Sequence, residues 1–422
     1  MHLRTPACYV ASFNRPNLTY RVIPKSQAAK QVIDYARRRS HESGIVYCAS
    51  RAGADSVAAK LAGHGVPAAS YHAGLDKAER SRTQERFLRD EVRVVCATIA
   101  FGMGINKPNV RFVIHHDLPK NLESYYQETG RAGRDGLPAE CLLLFSPGDV
   151  AKQLVFIEEK PDAHEQQIAR QQLQQMVHYA EQSHCRRAAL LAYFGETWTS
   201  DGCGACDNCL SPRATYDGTL AAQKLLSCVY RIRERSHCDF GLNHVVAVLT
   251  GGDTDRIRHL GHQQLSTYGI GTEHGRNEWA GIARELIRLG FLRQEPGKYP
   301  TVGLTAEGLA ALKERRRISL TRPLEAPRAR PSRPGEIACD ETLFETLRQL
   351  RRRLAEAEGV PPYIVFGDVT LRLMAREYPV TAADLRLISG VGEVKLHAYG
   401  DAFADAIRNH LRDHPRQSFA AE

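Results

Sequence analysis

Over the first third of the chain, short runs of β-branched and aliphatic residues alternate with stretches whose apolar positions recur at helical spacing. The runs at 45–48, 67–71, 93–98, 110–115 and 140–145 predict strands; the segments 28–38, 52–63, 77–89 and 122–130 predict helices between them. Strands that alternate with helices are joined by crossovers, so the expected architecture is α/β, a mostly parallel sheet covered by helices. Beyond Ser146 the pattern turns helical and polar. Leu173, Met176, Val177 and Ala180 punctuate a Gln-rich helix over 166–182, and a second helix is predicted over 186–194. Further on, helices over 220–235, 242–249, 277–289 and 305–315 surround a hairpin at 291–304, the element order of a winged helix. In the third of these, Trp279, Ile282, Ala283, Leu286, Ile287 and Leu289 line one side, which puts Trp279 in the core. A small all-α unit over 340–414 closes the pattern.

With 422 residues the chain is long enough for roughly two to four domains. The expected divisions are 1–150, 151–212, 213–320, a linker at 321–337, and 338–422. No apolar run is long enough for a membrane span, and the opening residues lack the apolar centre of a signal peptide, so a cytoplasmic, membrane-free protein is expected. The net charge of +9 is uneven. Eight basic residues against two acidic ones fall between Lys313 and Pro334, among four prolines, which predicts a solvated linker able to follow a phosphate backbone.

Candidate chemistry gathers at the carboxyl ends of the predicted strands, where open α/β sheets bind ligands. Ser50 and Arg51 follow the first strand, His72 and Gly74 the second. The third leads into Thr98 and a loop through Gly102, Gly104 and Asn106, whose backbone N–H groups suit phosphate oxygens. After the 122–130 helix, Gln127 through Gly136 contains Arg131 and Arg134 spaced by glycines. Planar guanidinium groups grip phosphate bidentately and keep their charge at neutral pH; alone, the motif is also compatible with a solvated basic turn. Of eleven cysteines, Cys185, Cys203, Cys206 and Cys209 stand at C-x17-C-x2-C-x2-C. That spacing suits a closed tetrahedral zinc site, with an iron–sulfur cluster as the competing reading.

Taken together, Gly44 to Cys48 with Ser50 and Arg51, Tyr71 to Leu75, Ala97 to Pro108, and Ser124 to Gly136 resemble motifs IV to VI of the second RecA-like motor domain of RecQ-family DNA helicases. The resemblance implies that Arg134 reaches the γ-phosphate of ATP held by a first motor domain, with Arg131 and Gln127 coupling that state to DNA. It also implies a zinc-binding subdomain holding structural Zn2+, a winged-helix domain whose wing residue Tyr299 stacks on DNA, and an HRDC domain at 338–422. The last rests on Val360 to Phe366, which includes Tyr363, and on Ile388 to Gly392. Tyr299 packing on its own wing is the alternative there. The implied partners are single-stranded, forked or junction DNA and single-stranded-DNA-binding protein, at the nucleoid, in recombination, repair and the SOS response.

ATP and Mg2+ need a Walker loop and an acidic box. The sequence contains no G-x-x-x-x-G-K-[ST]; its Gly297-Lys298 is followed by Tyr299, and neither Asp90-Glu91 nor Asp340-Glu341 opens a D-E-x-H box. The expectation is the carboxy-terminal portion of a 3′-to-5′ helicase, inactive as an ATPase until a first motor domain is supplied in cis or trans. The alternatives are a non-enzymatic DNA-binding or regulatory module and an iron–sulfur nucleic-acid protein.

Overall fold

The computed structural model describes residues 11–98, 106–212, 215–295, 301–321 and 337–419. The expected sites Gly104 and Tyr299, and the linker apart from Thr321 and Ile337, lie outside these. The chain divides into two compact units: residues 212–325 with 181–183 make one, and the remainder makes the other.

In the larger unit a six-stranded, wholly parallel sheet runs in the order β3-β4-β2-β5-β6-β1. The strands are β1 Leu18–Pro24, β2 Ser43–Tyr47, β3 Ala68–Tyr71, β4 Val94–Ala97, β5 Val110–His115 and β6 Ala139–Phe145. Four helices, α1 Ala28–Arg37, α2 Arg51–Gly63, α3 Lys77–Leu88 and α4 Leu122–Thr129, fill the connections. Because successive residues face opposite sides of a strand, Ile45 and Tyr47 enter one core while Val46 and Cys48 enter the other. Both faces are covered, as a parallel sheet requires.

Strand β1 is an addition to the sequence reading. Its alternation of Leu18, Tyr20 and Val22 with Thr19 and Arg21 is short, and its polar members look like a connection. What makes it a strand is β6: Arg21 and Arg39 reach the buried Glu140 at 3.3 and 2.7 Å, satisfying a carboxylate inside the sheet.

Helices Pro147–Glu158, Ala163–Glu181 and Arg186–Tyr193 follow, then a single turn at Asp207–Leu210. Their apolar sides, with Met176 and Tyr179, close one face of the sheet. The carboxy-terminal helices Glu341–Glu358, Pro362–Val365, Asp368–Glu377, Ala382–Arg386 and Glu393–Asp413 form their own core. They lie in the same unit as the sheet, and His41 is 3.6 Å from Glu345.

The smaller unit has helices Thr219–Ser236, Leu242–Leu249, Asp255–His259 and Arg276–Arg288, a hairpin Leu292–Glu295 with Thr301–Leu304, and Ala306–Lys313. Trp279 is fully buried and donates through Nε1 to Gly271 O at 2.7 Å, as its spacing predicts. An antiparallel clip, Thr215–Asp217 with Ser319–Thr321, ties the ends of this unit; it draws Thr321 out of the expected linker.

Candidate nucleotide and nucleic-acid interface

The loop after α4 is fixed from behind. Arg15 donates to Ala132 O at 3.0 Å and Gly133 O at 2.9 Å, and Asn17 Nδ2 donates to Gly133 O and Leu137 O at 2.8 Å each. Arg111 pairs with Asp135. Gly133 has φ 55°, and a Cβ there would lie 2.4 Å from Asn17 Nδ2, so glycine is required by both conformation and space. With its carbonyls satisfied, the loop presents side chains outward. Arg134 is exposed and donates to Asn106 Oδ1 at 3.3 Å. Burial, together with Arg131 and Arg15, lowers the Arg134 pKa, because three guanidinium groups share one region and an arriving anion would relieve them. Gln127 is exposed on α4.

Arg131 lies close to Tyr47, the last residue of β2, and its charge acts on that phenol. Burial raises that phenol's pKa, keeping it a neutral partner. His115 stacks on Tyr47 with ring centres 5.4 Å apart and meets Glu128 at 2.8 Å, joining β5 to α4.

At the neighbouring strand ends, Ser50 caps α2 by accepting from Gly53 N at 3.1 Å, and Arg51 is exposed beside it. His72 is not presented to a ligand. It is 5% exposed, Nδ1 accepts from Gly74 N at 3.2 Å, and Nε2 therefore donates to Asp55 Oδ1 at 3.0 Å. A Cβ on Gly74 would touch Arg51 and His72 at 3.1 Å each, so this imidazole shapes the turn against which Arg51 lies. Thr98 closes β4 with its N–H on Tyr71 O at 3.3 Å. Tyr363 is half-buried in the carboxy-terminal helical domain, far along the chain from the others. In that domain Arg351, which the sequence places on a basic helical face, is buried: Nη1 donates to Phe366 O and Asp368 Oδ1, both at 2.8 Å.

Sequence reasoning missed Arg15, Asn17, Arg111 and Tyr47. Tyr47 lies within the Gly44 to Cys48 stretch but had no role assigned, and only the fold brings the four to the arginine loop.

The ligand atoms of Cys185, Cys203, Cys206 and Cys209 all lie within 4.8 Å of one another. Sγ of Cys185 caps helix Arg186–Tyr193, accepting from Ala188 N at 3.5 Å, while Sγ of Cys206 accepts from Arg186 N at 3.4 Å. Backbone donors of this kind stabilise thiolates. Gly204 adopts φ 61° in the knuckle, and a Cβ on Gly202 would be 2.9 Å from Cys209 Sγ. Between the ligands, Asp207 binds the buried Arg186 at 2.5 Å and accepts from Val22 N at 2.9 Å, which fastens the cluster to β1. Four sulfur donors closed in this way fit a structural zinc ion.

A parallel-sheet domain with an outward arginine pair, a four-thiolate cluster and further helical domains in this order defines a helicase-type carboxy-terminal assembly. The chain matches the family models "Helicase conserved C-terminal domain" at residues 24–136, "RecQ zinc-binding" at 147–210, "RQC domain" at 212–329 and "HRDC domain" at 340–407. It is 42% identical over 416 residues to the ATP-dependent DNA helicase RecQ of Pasteurella multocida, covering 98% of this chain and 65% of that protein. Against the protein of the same name in Haemophilus influenzae it is 42% identical over 415 residues, covering 97% and 66%. For the Bacillus subtilis protein the figures are 40% over 412 residues, 98% and 68%. The chain belongs to the RecQ family. It spans about two thirds of the length of these relatives.

Proposed function

We propose that the chain supplies the second motor domain, structural zinc site and DNA-binding domains of a RecQ-type 3′-to-5′ DNA helicase acting in recombination, repair and the SOS response. The observation that carries this reading is the arginine loop. Its backbone is satisfied by Arg15 and Asn17 and its Asp135 is paired with Arg111, so Arg134 is held outward with the half-buried Arg131 charge behind it, a preorganised cationic pair. Preorganised charge is effective because no reorganisation is needed when the transferring phosphoryl group develops negative charge. In this reading ATP and Mg2+ are held by a first motor domain in cis or trans, and Arg134 reaches the γ-phosphate beside Asn106 and Gly104. Arg131 lies beside Tyr47, the last residue of the strand that leads to Ser50 and Arg51, which supports a coupling between nucleotide state and DNA contact. Gln127 and Thr98 border the same edge. Tyr299 and Tyr363 are proposed DNA contacts of the wing and the carboxy-terminal domain; single-stranded-DNA-binding protein is a proposed partner, and the nucleoid the proposed place of work. The proposed boundaries are 1–150, 151–212, 213–320, 321–337 and 338–422, with Thr321 held in the clip rather than in the linker. A linker of that length would reach about 50 Å at ~3.1 Å per residue.

The deciding experiment is reconstitution. The purified chain alone should show negligible DNA-stimulated ATPase, and a RecQ-type first motor domain added in trans or fused should restore it. Robust hydrolysis by the chain alone, or no gain from the fusion, would overturn the proposal.

A further inference from the structure

A second cluster of metal-ligating side chains lies apart from the four thiolates, at the carboxyl edge of the sheet. Cys48 follows β2, and His116 and Asp117 follow the adjacent β5; one ligand atom from each lies within 4.8 Å of the others. Their backbones are fixed by the sheet, since Cys48 N donates to Ala97 O at 2.8 Å and His116 N to Tyr47 O at 2.9 Å.

The two oxygens of Asp117 are divided between different tasks. Oδ1 receives Lys25 at 2.8 Å and Lys152 at 3.4 Å; Lys25 is also neutralised by Asp149 at 2.7 Å. Oδ2 receives Ala49 N at 3.1 Å and lies 3.0 Å from His116 Nδ1. Two ligand atoms on one tetrahedral centre, each roughly 2.0–2.1 Å from it, lie a little over 3 Å apart. The Nδ1 to Oδ2 separation is therefore close to a tetrahedral edge already formed, with the Cys48 sulfur offering a third vertex.

We propose that Cys48, His116 and Asp117 form a second transition-metal site, suited to zinc, beneath the Ser50 and Arg51 turn. The donor set is one sulfur, one imidazole nitrogen and one carboxylate oxygen, which suits a borderline-soft divalent ion. Thiolate and carboxylate together balance its two charges, while Lys25 keeps Asp149 as its own counterion. His116 and Asp117 are 17% and 11% exposed at their side chains, enough for an ion to enter and for water to complete the shell. Ala49 N–H stays on Oδ2 as an outer support.

The test is metal content of the full chain after zinc loading and passage over a weak chelating resin, paired with cobalt substitution. The expected result is two zinc ions per chain in the wild type and one in both Cys48→Ala and His116→Phe. The cobalt form should show added sulfur-to-cobalt absorption that both variants lose. Thermal melts by circular dichroism identify any variant that is unfolded; His116→Phe, at a partly buried position, carries the test if Cys48→Ala is. One zinc per chain in the wild type, or two retained in a folded variant, would overturn the proposal.

Discussion

Arg134 Nη1 sits 3.3 Å from the Asn106 side-chain oxygen, so the loop after α4 and the loop entering β5 meet through a neutral amide. An amide holds a guanidinium in place without cancelling its charge. A carboxylate at the same position would form an ion pair that a phosphate would first have to break.

In the reconstituted motor, Arg134→Ala should lower DNA-stimulated ATPase by roughly 10³-fold or more, the scale of an arginine finger. Binding of single-stranded DNA by the same variant should stay within about threefold of wild type. ATPase that survives the substitution would remove Arg134 from the reaction.

The two left-handed glycines of the loop should respond differently to alanine. At Gly133 a Cβ meets Asn17 Nδ2 at 2.4 Å and Leu137 O at 2.7 Å, whereas at Gly136, with φ 83°, nothing lies within 4 Å. Gly136→Ala should cost about 1 kcal/mol from backbone strain, and Gly133→Ala clearly more, because the loop must also move. Thermal melts of the two variants compare them directly; equal losses would mean that Asn17 does not fix the loop.

For the four-thiolate cluster, Cys203→Ser should give an insoluble product and Gly202→Ala a soluble one that loses its metal faster to a chelator. Structural zinc in small sites contributes on the order of 10 kcal/mol to folding. The loaded protein should be colourless; a brown preparation would assign an iron–sulfur cluster instead.

In the carboxy-terminal domain, Asp368 is held at a pKa of about 2, chiefly by the Arg351 charge working against burial. Removing one partner of a buried pair leaves the other uncompensated, so Arg351→Met should destabilise this domain by roughly 3–5 kcal/mol. Pairing it with Asp368→Leu should recover part of that loss. Wild-type stability in the single variant would show the pair to be dispensable.

The smaller unit should have an acid limit. His262 is buried with Nε2 on Ser236 Oγ and Nδ1 on His244 Nε2, both at 2.8 Å. Burial, then His262 and Arg256, lowers the His244 pKa to about 4; burial, then Arg235 and Arg256, lowers that of His262. Folded pKa values below the unfolded ~6.5 make stability complete above that pH. The His244 contribution declines as pH falls toward 4 and is level below it, and the His262 contribution is likewise lost as pH falls from the unfolded value toward its lowered folded one. Since His244 is only half-buried, solvent screening limits its share to on the order of 1–2 kcal/mol. Fluorescence of the buried Trp279 in denaturant titrations at pH 7 and pH 4.5 reports it, and His244→Gln should flatten the difference.

The four helices between the strands and five of the six strands of the parallel sheet were legible because their apolar spacing repeats over whole elements, and a one-residue slip would bury the wrong side chains; the helix Pro147–Glu158 was not. Strand β1 was not, since its polar half becomes buried only against Glu140. The burial of Arg351 was not legible either: it stands on a helix with other arginines, and its partner Asp368 is brought to it by a helix pairing without local sequence signature. His72 was singled out as a DNA-contact residue at a strand end, and in the structure its ring faces Asp55 and the turn itself.

By itself the sequence determined the α/β order, the Trp279 core position, the four-cysteine spacing and the arginine pair, all features carried by short-range periodicity or by chemistry within a few residues. Only the tertiary structure decided which groups hold that pair outward and which charges are buried. Arg15 and Asn17, Tyr47, and Arg111 come from three separate segments, and their meeting depends on the pairing of non-adjacent strands, a property no local pattern encodes.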